Sequence, residues 1–550
     1  MAKFKLILFF TFLLTGAFQL QAQNRYAIHY KFKPQDGFSL AQPAQYLTSK
    51  SIERRERQAI AIDSLDLPVS EKYIQEVRGF VDGFLYHSKW ENASLVIAKE
   101  ESIAAIQNLP FVEKVVLAAP GFVADGTALN RTKEKVGLTI NLNLKAKTNK
   151  ANAAYEMQNA ILGIQEMHEA GFKGKGVTVA VFDAGFPGVD HIPAFAHLFD
   201  NGQLIGSKDF VHVWNDNVFT KNQHGTNVLS LMATDDPDLI VAAAPEANYI
   251  LCITEEVATE YRIEEYNWIK AAEYADSLGV DIINSSLGYW DFDDRSMNYT
   301  VEDMDGETAL ISRGAHIAGN KGILVVTSAG NYGTRGEFSI TAPADAKGIL
   351  AIGAVNSSLQ RAGFSSQGPT VDGRIKPDVS TYGEQVWLLR PNGNLGTSNG
   401  TSFSSPQVAA FAAGLWQARP EWTKDQLIEG ILKSSSQANN PDNLLGYGIP
   451  NFVKAYFGEI LGIAEEENED NWKVYPNPVE GTDLFVKFGN QEVGEFSLID
   501  ANGKVLQKSN VKRTSLQDPF EVVIPDLPSG VYIVEMYSGN QVKRTKLMKR

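Results

Sequence analysis

The chain has 550 residues, a formal net charge of −15 and one cysteine. That length exceeds what one hydrophobic core fills and suggests roughly three to four domains at about 150 residues each. The acidic balance argues against a nucleic-acid partner, which needs Lys and Arg to neutralise phosphates, and a single cysteine excludes a disulfide within the chain.

Lys3 and Lys5 precede an apolar run at 6–14, and Leu20-Gln21-Ala22 forms a small-residue exit. Residues 1–22 therefore read as a secretory signal peptide cut near Ala22. No later segment has eighteen uninterrupted apolar residues, so no transmembrane span is expected, and no cysteine follows the apolar core to carry a lipid anchor. Residues 23–120 form a mixed α/β unit, with strands expected at 26–30, 93–97 and 110–117 and a helix at 99–109. A small unit ahead of the main domain is either a substrate-binding module or an inhibitory pro-segment, and composition leaves both open. Residues 121–152 are polar, rich in Lys, Asn and Thr, and read as a linker open to proteolysis.

The next segment, 153–460, alternates strands with helices. The run at 177–185 is apolar and β-branched almost without interruption, as a central parallel strand covered on both faces must be. Further strands are expected at 249–253, 282–284, 323–327 and 349–355, with a helix at 263–278. Cys252 falls inside the 249–253 run and reads as a small buried hydrophobe. This alternation predicts an α/β domain whose parallel sheet is covered by helices, with its site at the carboxyl ends of the strands.

Three residues sit at such ends. Asp183 closes the 177–185 strand. His224 opens a helical pattern, where the helix dipole disfavours the charged imidazole and keeps a base available. Ser402 stands where the turn Ser398-Asn399-Gly400 enters a small, apolar helix, and Pro406 is expected in that helix's first turn. Each residue alone has a bland reading as a turn cap, a structural histidine or an N-cap serine. Together they supply a nucleophile, a base and an orienting carboxylate.

Asp183-Ala184-Gly185, His224-Gly225-Thr226, Ser328-Ala329-Gly330-Asn331 and Gly400-Thr401-Ser402-Phe403-Ser404-Ser405-Pro406 resemble, in order and spacing, the four signature motifs of the subtilisin family of serine endopeptidases. The resemblance covers roughly residues 155–455, and Gly363-Phe364-Ser365-Ser366-Gln367-Gly368-Pro369 adds a further family-like loop. It implies that Ser402 attacks a peptide carbonyl, His224 carries the proton, Asp183 orients the imidazole and Asn331 donates to the oxyanion. Ser286, Leu287 and Gly288, in a segment like the family's substrate-backbone strand, would bind the peptide by strand addition. It also implies that 23–120 is an inhibitory pro-segment, that no cofactor is required for catalysis and that structural calcium is possible. Acidic runs at 291–294 and 303–307 are candidates for calcium, but no complete ligand spacing is visible and no metal residues are named. Two positions depart from the pattern: Ala184 replaces a hydroxyl residue and Asn227 a histidine.

Residues 461–472 are an acidic linker. In 473–550, strands at 484–488, 496–499, 521–524 and 531–536 separated by Asn-Gly and Pro-Ser-Gly turns predict a small β-sandwich. Tyr475-Pro476-Asn477-Pro478, Gly530-Val531-Tyr532 and the basic end at 543–546 resemble the C-terminal sorting domain of the bacterial type IX secretion system. A generic substrate-binding sandwich is the alternative. The sequence thus points to a secreted or cell-surface serine endopeptidase exported through the periplasm of a two-membrane bacterium. Its expected partners are protein or peptide substrates, its own pro-segment and the type IX machinery. A catalytically silent surface binding protein, or an esterase with the same nucleophile, would share most of these features.

Overall fold

In the computed structural model, residues 23–122, 150–461, 473–488, 491–500, 504–516, 518–539 and 541–549 are described. The expected signal peptide, nearly all of the 121–152 linker and most of the acidic linker lie outside them.

The N-terminal unit comprises β1 (Gln23–Tyr30), α1 (Ser49–Arg57), α2 (Glu71–Val77), β2 (Gly83–Ser88), β3 (Ala93–Ala98), α3 (Glu100–Gln107) and β4 (Val112–Phe122). Its antiparallel sheet has the order β2-β3-β1-β4. Side chains alternate across a strand, so Tyr26, Ile28 and Tyr30 of β1 pack with Tyr73, Ile74 and Ile106 of α2 and α3. The other face sends Ala27, Leu95 and Ala119 into a core shared with the following domain. The last six residues of β1 are therefore all buried, Arg25 and His29 included.

The central domain contains α4 (Lys150–Ala160), α5 (Ile164–Glu169), β5 (Thr178–Asp183), α6 (Ala196–Asp200), β6 (Leu204–Asp209), α7 (His224–Ala233), the short β7 (Asp235–Asp236) and β8 (Ile240–Val241), β9 (Asn248–Ile253), α8 (Ile263–Leu278), β10 (Ile282–Ser285), α9 (Leu310–Asn320), β11 (Leu324–Ser328), β12 (Leu350–Val355), β13 (Val379–Tyr382), β14 (Val386–Leu389), β15 (Leu395–Ser398), α10 (Thr401–Ala418), α11 (Lys424–Ser434) and α12 (Phe452–Leu461). Seven strands form one sheet in the order β13-β12-β11-β10-β5-β9-β6, every pair parallel. The expected α/β architecture is therefore present. Val179 and Val181 of β5 face one core with Phe403 and Phe411 of α10, while Ala180 and Phe182 face the other with Trp268 of α8. Small residues along α10 let it lie buried against the strands.

The C-terminal module, β16 (Lys473–Tyr475), β17 (Asp483–Lys487), β18 (Val493–Ile499), β19 (Val505–Lys512), β20 (Phe520–Val523), β21 (Gly530–Ser538) and β22 (Gln541–Lys549), packs a three-stranded sheet on a four-stranded one. The sequence pattern missed β16, which is only three residues long, and β19 and β22, where polar residues occupy most of the length. Val531 and Ile533 join the central core, and Lys546 lies 3.8 Å from Glu166 of α5. Contact between the two domains is therefore more than a linker alone.

One buried acid makes the fold pH-dependent. Glu265 of α8 accepts from Tyr299 Oη at 2.7 and 2.9 Å and from the Ile311 amide at 3.2 Å. Burial nevertheless pushes its carboxyl up to about 7, against the opposing pull of Arg262. A carboxyl raised in the folded state contributes stability at low pH that is lost as pH rises through that value. Glu265→Gln should be nearly neutral at pH 4 and stabilise the protein at pH 8 by on the order of 3 kcal/mol. Denaturant melts of both proteins at the two pH values check this, and equal effects at both would contradict it.

Candidate active site

The sheet register brings the site together. Phe182 of β5 pairs with Ser285 of β10, so Asp183 and Ser286 emerge side by side at the carboxyl edge. Asp183 is fully buried. A buried carboxylate needs donors, and here Ala184 N donates to Oδ1 at 2.7 Å while His224 Nδ1 lies 2.9 Å from both oxygens. The backbone amide of Ala184 thus supplies a bond where a hydroxyl side chain was missing from the motif. Asn227, the other departure, is buried in α7 with its side-chain oxygen lacking a hydrogen-bond partner among the described residues.

His224 is the first residue of α7, and its amide donates to Asn222 Oδ1 at 2.9 Å. With Nδ1–H turned to the carboxylate, the neutral ring carries its lone pair on Nε2, as a base requires. Gly225 makes this approach sterically feasible. A Cβ there would stand 2.3 Å from Gly185 O and 3.0 Å from Asp183 Cβ. The His224 ring also lies 5.6 Å from that of Phe403, the residue after Ser402.

Ser402 is the second residue of α10 and is half-buried. Its hydroxyl donates to Ser286 O at 3.2 Å, and Ser286 Oγ donates back to Ser402 O at 2.9 Å. The reason lies in Pro406. The sequence placed it in the first turn, but the helix begins at Thr401, so Pro406 is the sixth residue and cannot donate to the carbonyl four residues earlier. That carbonyl belongs to Ser402, and Ser286 caps it. The sequence held the signal, a proline four residues after the serine, without identifying the donor.

Asn331 follows β11 and its side chain is exposed. Its Oδ1 accepts from Thr401 N and Thr401 Oγ1, both at 3.0 Å, which fixes the orientation of the amide and turns Nδ2 away from Thr401. Sequence reasoning missed this role of Thr401. Leu287 is buried and Gly288 exposed beyond the end of β10, and a Cβ on Gly288 would meet Thr341 Oγ1 at 2.4 Å. A cavity of about 290 Å³ lined by His212, Trp214, Asn215 and Lys221 opens on the loop that leads into His224.

With this geometry in hand, residues 174–448 match the Subtilase family. The chain belongs to that family. Within this subtilase, residues 25–134 match the Peptidase S8 propeptide domain of Bacteroidota, and residues 473–550 match the Secretion system C-terminal sorting domain. Subtilisin E of Bacillus subtilis (strain 168) is 31% identical over 278 residues, half of this chain but only 64% of that relative's length. The subtilisin of Bacillus pumilus is 31% identical over 293 residues, covering 52% of this chain and 94% of that protein. The crystal structure of MycP1 with its N-terminal propeptide removed aligns with a TM-score of 0.44 at 25% identity, covering 54% of this chain and 95% of that one.

The acidic runs considered for calcium do not converge on a cation. Asp294 accepts from Ser296, Asp303 from Thr300, and Asp305 from Glu307 N and Thr308, so these carboxylates hold their own loops. Among the described residues, Glu255, Glu260 and Glu264 bring one oxygen each within 4.8 Å of one another.

The paired bonds between Ser286 and Ser402 lead to a measurable expectation. Among the described residues Ser286 is the only side chain that donates to the Ser402 carbonyl, and leaving this partly buried acceptor without its donor in Ser286→Ala should cost about 1 kcal/mol. Denaturant unfolding in a Ser402→Ala background, which prevents self-digestion, should show that loss. An unchanged midpoint would mean that another group caps the carbonyl.

Proposed function

We propose that this subtilase is a secreted serine endopeptidase in which Asp183, His224 and Ser402 form the catalytic triad and Asn331 the oxyanion donor. The observation that carries the reading is the imidazole at the head of α7, held through Nδ1 by a fully buried carboxylate beside the helix that presents Ser402. Ser402 Oγ turns from the Ser286 carbonyl toward His224, loses its proton to Nε2 and attacks the peptide carbonyl. Asp183 stabilises the resulting imidazolium without taking its proton. The oxyanion is met by Asn331 Nδ2 and by the Ser402 amide in the first turn of α10, since the amides of Thr401 and Phe403 donate to Asn331 Oδ1 and Gly400 O. His224 returns the proton to the leaving amine, and water then cleaves the acyl-enzyme by the same route. Ser286, Leu287 and Gly288 line the substrate beside β10. The chemistry needs no cofactor, and for structural calcium, which the family likeness allows, we assign no residues.

The division we propose is a signal peptide at 1–22, a pro-segment at 23–120, a linker at 121–152, the peptidase domain at 153–460, an acidic linker at 461–472 and a type IX sorting module at 473–550. Substrates are proteins or peptides, the pro-segment is the inhibitor, and the module directs the enzyme through the periplasm to the medium or cell surface.

A fluorophosphonate probe should label wild type but not Ser402→Ala, which should also lose peptide hydrolysis. Asn331→Ala should keep KM but lower kcat by about a hundred- to a thousandfold, the usual loss for one oxyanion donor. Wild-type turnover in Ser402→Ala would end the reading. Ending the chain near Glu465 should leave peptidase activity in the periplasm and remove it from outside the cell, and fractionation of both forms decides between sorting and another role for the module.

A further inference from the structure

The N-terminal unit touches the peptidase domain with its sheet and with an arm at 48–66, and the two meet at the C-terminal end of α8. Its sheet lies along α8, where Tyr86 Oη donates to Asn267 Oδ1 at 2.5 Å and Trp90 N to Glu273 Oε1 at 3.0 Å. Residues 48–66, including α1, leave that sheet and reach the C-terminal ends of α8 and α9. These ends run into the starts of β10 and β11, whereas the triad lies at the opposite, carboxyl edge. The six steps along the chain from Val280 to Ser286 put the two regions roughly 20 Å apart at about 3.3 Å each.

The C-terminal end of α8 is a poor place for an acid, because the helix dipole is negative there. It nevertheless carries the fully buried Asp276 and has no basic residue in its last turn. The cations come from the N-terminal unit. Arg54 Nη2 donates to Asp276 Oδ1 at 2.6 Å and to Asp276 O at 3.4 Å, Nη1 donates to Val280 O at 2.6 Å, and Nε donates to Lys321 O at 3.2 Å. Arg55 donates to both Asp276 oxygens at 2.8 Å and pairs with Asp66, which in turn accepts from Lys321 at 3.0 Å. Lys89 adds a third cation on Asp276 at 3.2 Å. Thr48 N donates to Ser277 O at 3.0 Å and Gln58 Nε2 to Gly322 O at 2.8 Å.

Two glycines admit this arm. Gly279 and Gly322 have φ of +82° and +85°, in the left-handed region that ends a helix. A Cβ on Gly279 would stand 2.7 Å from Ser51 N, and one on Gly322 2.7 Å from Gln58 Nε2.

From these contacts we infer that the peptidase domain carries a guanidinium-binding site at the adjoining ends of α8 and α9, and that Arg54 fills it to hold the severed pro-segment on the enzyme independently of the cleft. The inference rests on reading residues 23–120 as a pro-segment. Its acceptors, one carboxylate and three carbonyls, match the planar fork of arginine and not the compact ammonium of lysine. Two linked anchors also retain a ligand far better than either alone. Cutting the linker then does not release the inhibitor, and latency ends only when the Arg54 site lets go.

The test uses the full chain with Ser402→Ala and a recognition sequence for an added protease placed between residues 125 and 149. Retention is thereby measured whether or not the protein is itself a protease. After cutting, the pro-segment should co-elute with the rest of the chain on gel filtration, and Arg54→Met should weaken that retention on the order of a hundredfold, as expected when one partner of a buried ion pair is removed. Asp276→Asn should do the same from the other side. Should the uncut Arg54→Met chain fail to melt cooperatively, Arg54→Lys is read in its place with the same outcomes. Retention equal to wild type in these variants, or loss of the pro-segment from wild type on cutting, overturns the proposal.

Discussion

The charge of Asp183 is the constraint around which the candidate site is arranged. A carboxylate closed off from water at the end of a central strand is tolerated only with donors on its oxygens. The Ala184 amide and the His224 imidazole are those donors. To provide the second, α7 must begin almost in contact with the end of β5, which is why residue 225 has no side chain. The arrangement that satisfies the buried charge is the same one that fixes the tautomer of the histidine.

The second half of the site depends on one hydrogen bond missing from a continuous helix. Pro406 deprives the Ser402 carbonyl of its intrahelical donor, and Ser286 replaces it across from β10. Helix α10 is thereby tied at its first turn to the strand next to Asp183, and Thr401 in that turn orients Asn331 from the next strand over. Three neighbouring strands and two helices are thus locked in mutual position by a few short hydrogen bonds. Very little of this geometry is left to loops.

The N-terminal unit shows a different economy. Its sheet has no solvent face: one side is filled by its own helices and the other by the shared core. Its cations neutralise acids that the peptidase domain places at the unfavourable end of α8. The two parts are electrostatically complementary at a depth where water cannot substitute.

What the sequence determined by itself was the α/β succession of the central domain and the candidates for the reactive groups. The apolar β-branched run at 177–183 fits a central parallel strand, and the motifs around Asp183, His224, Asn331 and Ser402 carry the family likeness in local words. Periodicity also revealed the paired sheets of the C-terminal module, but it passed over β19 and β22, whose polar residues face outward and leave no apolar alternation. Only the tertiary structure decided what depends on partners far apart in the chain. Ser286 capping the Ser402 carbonyl joins residues 116 apart, and Arg54 reaching Asp276 joins residues 222 apart. Arg54 and Arg55 belong to the charged run at 53–57, yet both are buried. Burial of a charge is set by the donors and acceptors that surround it in space, and no local pattern records them.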